Sequence, residues 1–260
     1  MPQRAIMLAI SAILCGCSAE HAAKISSQPP LSTIEIVERM KKSVVPIVCL
    51  TQEPSGTMRL DFIMGTGFFI SSTGMFATAR HVIIDMQPAP GHRPCQRPAI
   101  YIPTDGRWPA DGILSSTTMR WFSFALDGCV LSDAMLDIAR CTTAEDLSHN
   151  TGISAPPVPV VFDGTLSKDG TVVAFTGFPL QTPVPRTAQG IISGYGSYDG
   201  INPTELVIDK GTWPGASGSP VYLMDGRVIG IIIARGTNDA TGLAFARTGV
   251  PVRQFLTTRQ

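Results

Sequence analysis

This sequence has little charge and no surplus of either sign. Charged residues make up 15% of its 260 positions, and 20 Lys+Arg stand against 20 Asp+Glu. A chain without a basic excess is poorly suited to neutralising a phosphate backbone, so nucleic acid is not an expected partner. There is no acidic tail, no low-complexity tract and no repeat at solenoid periods. No His-Glu-x-x-His signature is present, and no glycine-rich loop opens a helix to cradle phosphate, so neither zinc nor nucleotide chemistry is expected. Helical periodicity is scarce too. What remains is 44% hydrophobic residues with 25 Gly and 21 Pro, a mixture that favours many short strands and tight turns, an all-β architecture. The length allows one large or two small domains with a buried core.

The apolar run from Ala5 to Leu14 is far shorter than the roughly twenty residues a spanning helix needs. Arg4 precedes it and small residues follow it, the form of a secretory signal. Leu14-Cys15-Gly16-Cys17 resembles the bacterial lipobox, which implies a signal peptide over residues 1–17 and acylation of Cys17. Plain cleavage and secretion is the alternative. Ser18 after the lipidated cysteine implies an outer-membrane anchor facing the periplasm. Acyl chains hold a protein at a membrane surface without spanning it. Export leaves Cys49, Cys95, Cys129 and Cys141 in an oxidising compartment, where three pairings are open. Cys129 and Cys141 bracket an expected hairpin, so a bridge between them is favoured over buried free thiols. His92-x-x-Cys95 has no second ligand pair at metal spacing, and no metal or other cofactor is expected.

Residues 18–31, small and polar with a Pro-Pro, read as a tether. Ser32 and Glu35 form a capping box before Ile34, Ile36, Val37 and Met40, which predicts a short helix. From Ser43 the texture turns β: "DFIMGTGFFIS", "MFATARHVII", "FSFALDGCVL" and "LDIARCTT" are short runs between turn residues. Residues 143–159, rich in Pro and polar residues, read as a linker. Beyond it "TVVAFTGFP", "GIISGYGSY", "ELVIDKG", "SPVYLM", "RVIGIIIARG" and "GLAFAR" repeat the pattern before a terminal helical segment, "VPVRQFLTT". The expected fold is therefore all-β: two six-stranded antiparallel β-barrels, over 32–142 with its preceding helix and over 160–260, with short helices at both ends.

Three places depart from plain strand grammar. His81 comes after the small residues Thr78 and Ala79, with Arg80 between, in "FATARHVI", Asp137 interrupts an apolar strand in "MLDIARC", and Ser217 sits in "GASGSPV". Small residues beside a serine let the backbone bend sharply and approach another molecule closely. Each has a dull explanation alone: a satisfied structural histidine, an Asp closing a turn, a surface turn. In the order His–Asp–Ser, roughly 56 and 80 residues apart, they resemble the trypsin-like serine proteases of the chymotrypsin fold, closest in texture to bacterial Deg/HtrA-type protease domains. The resemblance covers about residues 34–256 and extends to "FTGFP", "TAQGIISGYG" and "RVIGIIIARG". It implies Ser217 as nucleophile, His81 as base, Asp137 as orienting acid, and the N–H groups of Gly215 and Ser217 as an oxyanion hole.

The resemblance also has departures. Ala216 stands where trypsin-like zymogens carry the Asp that pairs with a newly cut N-terminus, so no such activation is expected. The chain stops about fifteen residues after "GLAFA", and no PDZ domain is expected. Gly211 occupies the place of the acidic pocket base; with Thr212, Ala234 and Ala244 it implies a pocket for a small or medium apolar side chain. The expected function is a serine endopeptidase acting on exported protein or peptide substrates. A catalytically silent scaffold lipoprotein and an esterase with the same triad are the alternatives.

Overall fold

The computed structural model describes residues 31–258 apart from 89–93, 116, 150–151, 155–156, 198–199 and 236–241. The segment expected to be a signal peptide, with Cys17, and residues 18–30 of the expected tether lie outside the described residues. Leu31–Gln260 make one compact unit.

The unit opens with helix α1 (Thr33–Lys41). The Ser32 hydroxyl accepts the Glu35 N–H at 3.3 Å, and the Glu35 carboxylate accepts the Ser32 N–H at 2.7 Å, satisfying backbone donors that the first turn leaves free. The Ser32 N–H and, at 2.8 Å, the Ser32 hydroxyl both donate to the Glu35 carboxylate and hold its carboxyl below the ordinary range. Ile36 and Met40 are buried beneath the helix, whereas Ile34 points outward, 76% exposed.

Seven strands follow: β1 (Val44–Gln52), β2 (Met58–Phe69), β3 (Met75–Ala79), β4 (Arg97–Pro103), β5 (Met119–Ser123), β6 (Val130–Leu131) and β7 (Ile138–Thr142). They form one antiparallel sheet in the order β5-β4-β1-β2-β3-β7-β6. The sheet curls until its first edge meets its far side: Phe124 bridges Thr143, and the Ala144 N–H donates to the Ser123 carbonyl at 2.9 Å. The two-residue β6 is an extra lateral strand, so this half has seven strands rather than six. The second half is a closed six-stranded barrel, ordered β10-β13-β12-β11-β8-β9. Its strands are β8 (Val172–Gly177), β9 (Arg186–Gly196), β10 (Glu205–Ile208), β11 (Pro220–Leu223), β12 (Val228–Arg235) and β13 (Ala244–Thr248). Helix α3 (Gly249–Thr257) closes the chain. This is the all-β double-barrel class with short flanking helices.

Each half has an interior core, around Phe69, Phe76 and Ile100 in one and Phe175, Ile208 and Ile232 in the other. A third cluster joins them, with Phe68 and Tyr101 from the first half, Tyr222 and Val228 from the second, and α1 and α3 contributing Met40 and Val252. Arg140 of β7, only 8% exposed, donates to the Leu256 and Thr258 carbonyls and lies 5.7 Å from the Phe255 ring centre, which pins α3 to the first half. Two disulfides are formed, Cys129–Cys141 across the β6–β7 hairpin and Cys49–Cys95 between β1 and the segment after His81. With its sulfur in a disulfide, Cys95 is not free to bind metal beside His92, which lies outside the described residues.

Candidate active site

The run "MFATARHVII" reads as one strand, but β3 ends at Ala79 and the chain turns into the short helix α2 (Arg80–Ile84). Asp137 makes the difference. Its carbonyl accepts the Arg80 N–H and its Oδ1 accepts the His81 N–H, both at 2.9 Å. Those donors are thereby taken from any strand partner, and the Asp85 N–H closes a helical turn on the His81 carbonyl at 2.8 Å. Val82 and Ile83 face the core. The other carboxylate oxygen, Oδ2, lies 2.8 Å from His81 Nδ1. A carboxylate in its ionised form can only accept, so this contact selects the neutral imidazole tautomer with its proton on Nδ1 and its acceptor nitrogen at Nε2. The Asp137 side chain is 16% exposed and that of His81 35%, so the carboxylate is shielded while the imidazole stays reachable.

Asp137 itself has a left-handed backbone, φ 54°, a conformation Asp tolerates better than most residues. The turn before it is held by its own polar groups. Asp133 Oδ1 accepts the Met135 and Leu136 N–H groups at 2.8 Å, and the Ser132 hydroxyl accepts the Ile138 N–H at 2.9 Å.

The "GASGSP" loop is wedged between the halves. Its Ser217 carbonyl accepts the Thr66 N–H of β2 at 2.8 Å, and the Gly218 N–H donates to Ile232 of β12 at 2.7 Å. Gly218 has φ +89°, and a Cβ there would stand 1.9 Å from the Thr66 carbonyl oxygen and 2.3 Å from Thr78 Oγ1. Only glycine fits so close to strands β2 and β3, the latter ending two residues before His81. The structure thus brings the Ser217 loop, through Gly218, against the strand that leads to His81. It does not join their side chains: the Ser217 hydroxyl has no hydrogen bond to His81 or to any other described residue.

The peptide before Ser217 is held by residues that give no signal in the sequence. Thr66 Oγ1 donates to the Gly215 carbonyl at 2.8 Å and accepts the Phe178 N–H at 3.0 Å. The Pro214 carbonyl accepts the Leu180 N–H at 2.8 Å. In a trans peptide the carbonyl and the following N–H point in opposite directions, so the Gly215 N–H faces away from Leu180. Among the described residues, neither the Gly215 nor the Ser217 N–H meets an acceptor. Leu180 and Gln181 are both left-handed, φ 55° and 59°. Each costs about 1–2 kcal/mol in a residue with a Cβ. The turn is clamped from the first half, where Gln181 Nε2 donates to the Ile63 carbonyl at 2.7 Å and Oε1 accepts the Ile63 N–H at 2.6 Å. In "FTGFPLQ" Gly177 and Pro179 mark a turn, but nothing local announces the clamp.

A family model, that of the trypsin-like peptidase domain, matches residues 65–231, from the glycine pair of β2 that flanks Thr66 to the middle of β12. The chain belongs to the trypsin-like peptidase domain family. Comparison with curated proteins finds no match. Family membership points to serine protease activity, and the paired sheets are the double barrel that goes with it.

In this trypsin-like peptidase domain the four residues expected to form a pocket are separated. Gly211 and Thr212 line a cavity of about 340 Å³ together with Trp213 and Ala216. Ala234 and Ala244 do not reach it: Ala234 is exposed on β12, and Ala244 is fully buried inside the second barrel. Aligning short strands by sequence cannot say which face a β12 or β13 residue presents, because a one-residue offset reverses it. Nor is the cavity the space before the Ser217 hydroxyl, since Ser217, His81 and Asp137 are absent from its walls.

Proposed function

We propose that this trypsin-like peptidase domain is a serine endopeptidase acting on exported proteins and peptides, held at a membrane surface by a lipid on Cys17. The observation that carries the reading is the His81–Asp137 pair at 2.8 Å, set at the end of the strand against which the Ser217 loop is wedged. A serine hydroxyl near neutral pH needs a base to become nucleophilic. His81 Nε2 takes the proton of Ser217 Oγ as that oxygen bonds to the scissile carbonyl carbon. Asp137 keeps the imidazole in the needed tautomer and stabilises the imidazolium. The carbonyl oxygen becomes an oxyanion and is met by the free N–H groups of Gly215 and Ser217; such a donor contributes about 10²–10³ in rate. The tetrahedral adduct collapses as the C–N bond breaks, and His81 gives its proton to the departing amine. Water then repeats the cycle on the acyl-enzyme and releases a peptide with a new carboxylate.

The two disulfides support export to an oxidising compartment, where the periplasmic face of the outer membrane is the proposed site. The test is hydrolysis of an unfolded, self-quenched fluorescent protein by the signal-less chain. Fluorescence rising with the wild type but not with Ser217→Ala is the expected result. Equal release by both proteins removes Ser217 from the reaction and overturns the reading.

A further inference from the structure

The peptide that carries the Gly215 N–H lies in a turn that has two accessible forms. The Ala216 N–H donates to the Trp213 carbonyl at 3.0 Å, closing a β-turn with Pro214 and Gly215 at its centre. Proline holds φ at about −65°, and Gly215 has φ +94°, which makes the turn type II. A flip of the central peptide converts type II to type I. The Gly215 N–H would then point to the opposite side, and the Pro214 carbonyl would leave the Leu180 N–H. A Cβ at Gly215 would stand 2.3 Å from the Phe178 carbonyl oxygen, so glycine alone fits the form observed. Pro-Gly favours type II without excluding type I, and Ala216 has no carboxylate with which to tie the loop down.

Thr66 supplies the tie. It is fully buried on β2, and its hydroxyl donates to the Gly215 carbonyl at 2.8 Å while accepting the Phe178 N–H at 3.0 Å. The first bond fixes the peptide after Gly215. The second fixes the segment whose Leu180 N–H reaches the Pro214 carbonyl, and with it the peptide before Gly215. One hydroxyl therefore restrains both peptides that flank Gly215. The Thr66 N–H meets the Ser217 carbonyl independently of the side chain, so that bond survives any change at the hydroxyl. We propose that Thr66 is a positioning residue whose hydroxyl keeps the Gly215 N–H turned toward the substrate carbonyl in the resting protein, so that the domain works without a cleavage or a partner to set the turn. The proposal rests on the peptidase reading for the use of that N–H, but not for the state of the turn.

The test has two arms on the signal-less chain. In the first, hydrolysis of the self-quenched protein is followed from the moment of mixing. A constant rate without lag or added factor is expected; a lag, or a need for an activating peptide, overturns the proposal. Thr66→Val keeps the shape and removes the hydroxyl, and kcat is expected to fall about a hundredfold with KM changed less than about twofold. Thr66→Ser keeps the hydroxyl and is expected within about threefold of the wild type. A Val variant with wild-type kcat, or a Ser variant as slow as the Val variant, overturns the role of the hydroxyl. The second arm needs no turnover: the Gly215 amide signal in the NMR spectrum of isotope-labelled protein. One sharp signal is expected in the wild type and Thr66→Ser, and a doubled or exchange-broadened one in Thr66→Val; identical signals in all three overturn the proposal. Equal hydrolysis by Ser217→Ala and wild type overturns the peptidase reading instead, and the amide signal still decides the state of the turn. Thr66→Val also leaves the Phe178 N–H buried without an acceptor. Should it not fold, Pro214→Ala at an exposed position loosens the same turn. A broadened Gly215 signal and about tenfold lower kcat are then expected, and no change in either overturns the proposal.

Discussion

Asp137 bonds to the α2 segment through its carbonyl and both carboxylate oxygens, reaching the Arg80 N–H, the His81 N–H and the His81 ring. A substitution that keeps the shape and removes the charge separates its structural part from its electrostatic part. Asn tolerates the left-handed backbone and still offers an oxygen to the His81 N–H. Asp137→Asn is therefore expected to fold normally and to lose about 10⁴-fold in kcat, because the imidazole is left in the wrong tautomer; steady-state kinetics beside a thermal melt check it. A variant with near wild-type kcat contradicts the role given to Asp137. At this scale the sequence was informative where backbone sterics restrict residue choice. Gly218 has to be glycine, and the small-residue grammar around Ser217 displays that requirement. Thr66 and Gln181 were illegible, because their hydroxyl and carboxamide act on partners more than a hundred residues away.

Among the elements, the Pro179–Gln181 turn is the most exposed to perturbation. It spends backbone strain at two residues and is repaid through Gln181 on β2 and Leu180 on the Pro214 carbonyl. Gln181→Ala removes two hydrogen bonds worth about 1 kcal/mol each and frees the turn. The expected result is a roughly tenfold loss of kcat with KM little changed, since the Gly215 N–H is less firmly aimed while substrate contacts persist. An unchanged kcat sinks the clamp. The disulfides act on elements too. By the loop-closure relation the Cys129–Cys141 bond, spanning 12 residues, contributes about 3 kcal/mol, and Cys49–Cys95, spanning 46, about 4 kcal/mol. Denaturant titrations of the two double-alanine variants are expected to keep that order, and equal stability of both with the wild type contradicts it. The hairpin bridge was readable from the short interval between its cysteines. The longer bridge was not, because only the β1–β4 pairing, Cys49 opposite Pro98, brings β1 close to the segment carrying Cys95. The helical turn at Arg80–Ile84 escaped for a related reason: its apolar residues suit a strand, and tertiary hydrogen bonds from Asp137 override them.

For the whole molecule, short alternating runs sufficed to indicate an all-β double barrel, since period-two patterning survives without knowledge of partners. Strand count in the first half did not follow from it, because β6 is two residues long and the closing contact is a single bridge. The proposed location rests on the lipobox reading of residues 1–30, outside the described part. Cys17→Ala is expected to move the protein from the detergent phase to the aqueous phase on phase separation and to abolish incorporation of labelled palmitate; retention of label refutes lipidation at Cys17. The central claim is an activated Ser217 at the junction of the two halves. Its most direct test is labelling of the folded, signal-less protein with a fluorophosphonate probe, followed by mapping of the modified peptide. The account predicts a single adduct on Ser217, absent in Ser217→Ala and strongly slowed in His81→Ala. No adduct from well-folded wild type, or an adduct elsewhere that persists in both variants, contradicts it.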